Sequence, residues 1–160
     1  MKTIRVSEVS DSRVGYENIN YDLSEMTINN CIGCWSCWWK TPGQCAFHDL
    51  DKFYHDYISA DKVIFICKPS NNFVSAKLKT LFDRMIPLFL PYTSFTTGES
   101  MHYKRYDRYP DIEFYFEDNF NNEQDKVIFR NYVHRVFYQF HSNNITINSI
   151  EELSFATEGK

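Results

Sequence analysis

Lys62-Val63-Ile64-Phe65-Ile66-Cys67 is a near-continuous apolar run, entered from Ala60-Asp61 and followed by Pro69. A strand that is apolar on both sides of its pleat has to be buried on both faces. Such strands belong to parallel sheets with helices packed over them. The rest of the chain reads as the partners of that strand. Residues 3–9 and 18–23 alternate polar with apolar and are predicted as strands. Leu50, Phe53, Tyr54, Tyr57 and Ile58 recur at helical spacing, so a helix is predicted over 49–59 with Asp49 near its N-terminus. Val74, Leu78, Leu81, Phe82 and Met85 stripe a second helix, which Pro87 stops. Ile112, Phe114 and Phe116 alternate as a strand, 123–141 carries the apolar stripe of a long helix, and 145–150 reads as a last short strand. Strands alternating with helices predict a single α/β domain over residues 1–160 with a mostly parallel sheet. Two stretches read as long loops, 29–48 and 91–110.

Composition excludes several classes. The chain is 43% apolar and 18% aromatic, ample for a core, which sets disorder aside. Its net charge is −4, with lysines and arginines scattered, so it offers no basic field for nucleic acid. No run approaches the roughly 18 apolar residues of a membrane-spanning helix. No secretory signal is visible after Met1-Lys2, so a cytoplasmic location is expected.

Five cysteines are present, and four crowd into 31–45: Cys31, Cys34, Cys37 and Cys45. Three thiols at spacing three, with a fourth a short loop away, can wrap one cubane iron–sulfur cluster, and Gly33 allows the tight backbone turn. The same four, or three with His48, can bind a tetrahedral zinc. Packing alone is a third reading, with the thiols acting as small apolar groups beneath Trp35, Trp38 and Trp39. Cys67, inside the apolar strand, is expected to be inert core. His134 and His141 are expected at the surface of the long helix.

The run Cys-Ile-Gly-Cys-Trp-x-Cys-Trp-x-Lys-Thr-Pro-Gly-x-Cys over 31–45 resembles the compact motif of flavodoxin-like NAD(P)H/FMN oxidoreductases, in particular the iron–sulfur flavoproteins. Further matches follow in order: Asp49 and Asp51, Ala60-Asp61 before the buried strand, Leu78-Lys79 with Asp83-Arg84, Ile86-Pro87, Gly98-Glu99 with His102, and Arg105-Tyr106. The resemblance covers about residues 20–150. It implies a flavodoxin-like three-layer sandwich, here in reduced form, and an FMN-dependent oxidoreductase or electron-transfer protein fed by a nicotinamide or ferredoxin. A 4Fe-4S cluster on Cys31, Cys34, Cys37 and Cys45 is part of what it implies. So is flavin contact by the loop Pro69, Ser70, Asn71, Asn72 and Phe73, and a substrate or partner role near the flavin for Glu99, His102, Arg105 and Tyr106. Two other functions compete: a non-catalytic subunit completing a full-length flavodoxin-like partner, and a zinc-stabilised binding module.

The N-terminus departs from the family pattern. Only a short connector separates the first two predicted strands, whereas a parallel crossover with a helix takes about a dozen residues or more. The first helix and its phosphate-binding loop are therefore expected to be missing. Ser10, Ser12 and Arg13 form at most a remnant, and Asp11 repels a dianion. Losing three charge-assisted hydrogen bonds of roughly 1.5–3 kcal/mol each costs on the order of 5–9 kcal/mol. FMN binding by the isolated chain is thus expected to be weak or lost. Residues 1–24 are read as atypical strands: Ile4 and Val6 share one face, while Arg5, Ser7 and Val9 share the other. That half-polar pattern predicts an edge or an antiparallel hairpin with 18–23, and an uncovered apolar surface that a homo- or hetero-oligomeric partner would bury.

Overall fold

The computed structural model describes residues 1–9 and 19–152. Five strands, β1 (Thr3–Ser7), β2 (Ile19–Asp22), β3 (Lys62–Cys67), β6 (Asp111–Phe116) and β7 (Ile145–Ser149), form one parallel sheet in the order β2-β1-β3-β6-β7. The remaining elements are the single turn α1 (Ser36–Trp39), α2 (Asp51–Ser59), α3 (Ala76–Asp83), the hairpin β4 (Phe89–Ser94) and β5 (Met101–Lys104), and α4 (Glu123–Gln139). The predicted apolar strand is the middle of the sheet. Phe65 sits opposite Val6 on one side and Phe114 on the other.

One face of the sheet carries Ile4, Val6, Val63, Phe65, Ile112 and Phe114, all buried beneath the stripes of α2, α3 and α4. Phe65 lies 5.0 Å from Phe137 and 6.1 Å from Phe82, ring centre to ring centre, so strand and both helices share one aromatic cluster. The starts of α3 and α4 are capped. Ser75 accepts from the Leu78 backbone N–H ahead of α3, and Asn122 accepts from that of Asp125 ahead of α4, whose first turn also holds Glu123. The opposite face carries Ile64 and Ile66, buried with Ile150, and the Lys62–Glu113 ion pair.

Three expectations are corrected. First, β1 is neither an edge nor half of an antiparallel hairpin, because it runs parallel between β2 and β3. Its polar side is accommodated because Arg5 is only 3% exposed. A long aliphatic stem covers apolar neighbours as a hydrocarbon would. Second, 91–110 is not a plain loop, because it contains most of the β4–β5 hairpin. Third, His141 is half-buried rather than on the surface, packed beside Phe89 and Tyr109 and bonded through Nε2 to the His102 carbonyl. Burial lowers its pKa. The crossover between β1 and β2 falls within residues 8–18. The predicted loss of the phosphate loop, with Ser10, Ser12 and Arg13, lies outside the described residues.

Phe65→Ala should remove about 3–5 kcal/mol of stability, because no neighbour in a three-ring contact can move to fill the gap. Chemical denaturation should show a lower midpoint with an unchanged slope.

Candidate functional site

Sheets of this order place ligands outside the carboxyl ends of the strands, where the strand order reverses. Here that point is between β1 and β3. A cleft of about 550 Å³ opens there, lined by Glu8, Ser24, Lys68, Pro69, Ser70 and Ser75. Its volume lies within the roughly 300–1,000 Å³ range of small-molecule sites. Glu8, the first residue after β1, reaches across the gap. Its carboxylate accepts from the Lys68 backbone N–H at 3.0 Å and from the Ser75 hydroxyl. Buried Cys67 lies beside it, and its thiol is pushed far above the usual range, first by burial and then by the Glu8 charge and hydrogen bond.

The predicted flavin loop divides in two. Pro69 and Ser70 face the cleft. Asn71 and Asn72 both have positive φ, in a tight turn closed by paired bonds between Ser70 and Phe73. Asn tolerates that left-handed geometry better than most residues. The turn directs the Asn72 amide to Asp125 and sets the Phe73 ring 4.4 Å from that of Tyr132, so both side chains fasten the loop to α4.

A second pocket, of about 110 Å³, lies at the other end of α3. Cys31, Cys34, Cys37 and Cys45 all line it, together with Trp38 and Arg84. Cys37 is buried, Cys45 half-buried, and Cys31 and Cys34 exposed. Burial pushes the Cys37 thiol up, and the neighbouring thiols Cys45, Cys31 and Cys34 add to this. Hydrogen bonds from Ser36 lower Cys34. Among the described residues, no three His, Cys, Asp or Glu side chains are placed to share a metal ion. His48 pairs through Nδ1 with Asp51 at 2.8 Å.

Arg84 holds this end together. It is 1% exposed, and its guanidinium bonds the Asn29 carbonyl and both oxygens of Asp49. The Phe47 ring lies 5.1 Å from its guanidinium carbon, and its own carbonyl accepts from the Tyr54 hydroxyl at 2.6 Å. One side chain thus ties both ends of the cysteine loop to α3. Sequence reading passed over Arg84 and Glu8 as site residues. A buried arginine leaves no periodic trace, and a lone glutamate after a strand reads as the start of a turn.

The residues expected to form a substrate or partner loop, Glu99, His102, Arg105 and Tyr106, lie at this same end. The Arg105 guanidinium donates to the Pro87 and Phe89 carbonyls, and His102 bonds the Leu90 carbonyl with its ring 5.2 Å from Trp38. Glu99 pairs with Arg135 and accepts from Gln139. The Tyr106 hydroxyl closes over Gly43, whose φ of +87° suits glycine. These groups brace the hairpin against the cysteine loop and α4.

No protein-family model matches this sequence, and no curated protein matches it. Solved structures do match in shape. The crystal structure of azoreductase AzrA superimposes with a TM-score of 0.65 at 14% identity, over 96% of this chain and 93% of that one. Smu.1420 from Streptococcus mutans UA159 gives 0.66 at 11%, over 99% and 95%. An FMN-dependent NADH-azoreductase from Bacillus anthracis, in complex with FMN, gives 0.54 at 13%, over 93% and 86%. The fold is flavodoxin-like. At these identities the likeness establishes the architecture and leaves the chemistry to the residues.

The Arg84–Asp49 pair sets a pH dependence. Burial alone would raise the Asp49 carboxyl, but hydrogen bonds from Arg84 and Asn29, with the Arg84 charge, hold it well below the usual carboxylate range. A carboxyl lowered on folding stabilises the folded state above its unfolded pKa of about 3.9, and that stability is lost as pH falls towards the folded value. Asp49→Ala should cost about 3–5 kcal/mol at pH 7, because it strands a buried guanidinium. The gap between wild type and variant should narrow as unfolding is measured below about pH 4.

Proposed function

We propose that this chain is a flavodoxin-fold redox protein that takes a flavin ring in the cleft between the ends of β1 and β3. The cleft itself is the observation that carries this reading: an open volume of ligand size, at the point of strand-order reversal, floored by Pro69 and edged by the exposed Ser70 hydroxyl. That a structural neighbour is described as FMN-dependent and in complex with FMN supports the same class of cofactor. A bound flavin would supply hydride- and electron-accepting chemistry, with a nicotinamide or ferredoxin as the donor.

The described residues suit the ring better than the phosphate. Pro69 offers a rigid wall and Ser70 a donor and acceptor for the ring edge. Two further donors of the cleft, the Lys68 N–H and the Ser75 hydroxyl, are already held by Glu8. The isolated chain should therefore bind FMN with a dissociation constant in the micromolar range or weaker, read by quenching of flavin fluorescence. Ser70→Trp, which fills the cleft, should abolish the binding. Nanomolar affinity would show that a strong phosphate site exists after all. Failure of any flavin to bind would remove the reading.

The four thiols favour a second, compatible reading, in which a 4Fe-4S cluster occupies the pocket at the other end of α3. A single metal ion needs all its thiolates within about 2.3 Å of one point. A cubane places each thiolate on a different iron, so its ligands surround a wider space. The four cysteines line one pocket, which is the arrangement this reading rests on. Anaerobic incubation with iron and sulfide should load about four irons per chain. Cys34→Ser and Cys37→Ser should each reduce that loading, and iron-free protein after the same treatment would exclude the cluster. Assembly with a second flavodoxin-like chain belongs to the same proposal, because exposed Ile32, Trp35 and Phe47 stand beside this pocket.

A further inference from the structure

Glu8 is placed where an anionic ligand would otherwise bind. The start of α3 offers the positive end of a helix dipole, and the Ser75 cap turns its hydroxyl hydrogen outward, because its oxygen accepts from the Leu78 N–H at 3.0 Å. The Lys68 N–H points into the same gap from the end of β3. A hydroxyl, a backbone N–H outside the sheet ladder and a helix N-terminus together suit an anion. The Glu8 carboxylate fills it, with one oxygen on each donor.

Among the described residues, the two ammonium groups that line the cleft are held by partners other than Glu8. The Lys68 ammonium leans towards Glu117 at 3.8 Å, and the Lys77 ammonium donates to the Ser24 carbonyl at 2.6 Å. Buried Cys67 is held as a neutral thiol beside the carboxylate. A phosphate entering the cleft would meet a fixed negative charge and two donors already taken. A flavin ring without its phosphate meets the opposite situation. Its imide N–H is a donor, and an anchored carboxylate is an acceptor that need not be desolvated afresh.

Resting on the flavin reading above, we propose that Glu8 is a specificity-determining residue that makes the cleft discriminate against the phosphate, so that it takes dephosphorylated flavin of the riboflavin type at least as readily as FMN. Glu8 acts as an internal anion in place of the cofactor's own.

The test is a fluorescence titration of the full chain and of Glu8→Gln with riboflavin and with FMN. Wild type should bind riboflavin as tightly as FMN or tighter. Glu8→Gln, which keeps an acceptor for Ser75 but removes the charge, should tighten FMN by tenfold or more while moving riboflavin by less than threefold. If Glu8→Gln fails to fold, the wild-type ratio still decides. FMN bound tenfold more tightly than riboflavin by wild type overturns the inference and leaves the flavin reading standing. An equal change in both flavins on substitution also overturns it, because Glu8 would then only shape the cleft. If neither flavin binds to either protein, the flavin reading falls and the inference falls with it.

Discussion

The buried guanidinium of Arg84 is the constraint on which the lower half of the molecule depends. The segment from Leu23 to Leu50 has one helical turn and no strand, so it cannot satisfy its own backbone or bury much of its own surface. It is ordered by attachment. Near its start Asn29 binds Arg84 through its carbonyl, and at its end Asp49 binds both guanidinium nitrogens. Along the way the Ser24 carbonyl accepts from Lys77, and Asn30 accepts from Thr80. The segment therefore follows α3 along its length and is closed by an ion pair. A charge that deep is costly unless paired, so the pairing fixes the geometry even where it adds little net stability. The four cysteines share a pocket because both ends of the segment that carries them are tied to the same residue.

α3 also divides the chemistry of the chain. Ser75 caps one end, in the cleft, and Arg84 lies at the other, against the thiols. Eight helical residues span about 12 Å. The helix is thus a rigid spacer between the cleft and the pocket that the four cysteines line. The hairpin leans on the cysteine loop, where the Trp38 indole donates to the Phe89 carbonyl and lies beside the His102 ring. Arg105 and His102 bond carbonyls of 87–90 within the hairpin and the turn before it.

The part of this arrangement that was legible in the sequence is the part set by periodicity. Val63 to Cys67 marked the sheet centre because only a strand covered on both faces is apolar throughout. The stripes of α3 and α4 marked the layer above it for the same kind of reason. What escaped was set by single contacts. Arg5 sits buried in the second strand position of the sheet, and its charge in the sequence argued for an edge, whereas its methylene stem serves as core. Glu99 and His102 resembled site residues by type and spacing, and in the fold Glu99 bonds α4 while His102 bonds the Leu90 carbonyl. Asn71 and Asn72 resembled ring-edge donors, and they form a left-handed corner in which the Asn72 amide bonds Asp125. Polar residues carry no signature that separates bonding a ligand from bonding a neighbour, and only the placement of partners decides it.

The same reasoning bears on how far architecture determines ligand. The order β2-β1-β3-β6-β7 forces a gap beyond the ends of β1 and β3, whatever loops surround it, because neighbouring crossovers leave that point in opposite directions. The gap comes with the fold, and so does a helix N-terminus pointing into it. An unmodified gap of this kind attracts anions. On the proposed reading, a carboxylate one residue beyond β1 turns the site against anions without moving any backbone, since Glu8 uses donors that the fold supplies in any case. Shape similarity at 11–14% identity therefore identifies the gap and says little about what enters it. On that reading the choice of ligand turns on one side chain, bonded to Lys68 and Ser75.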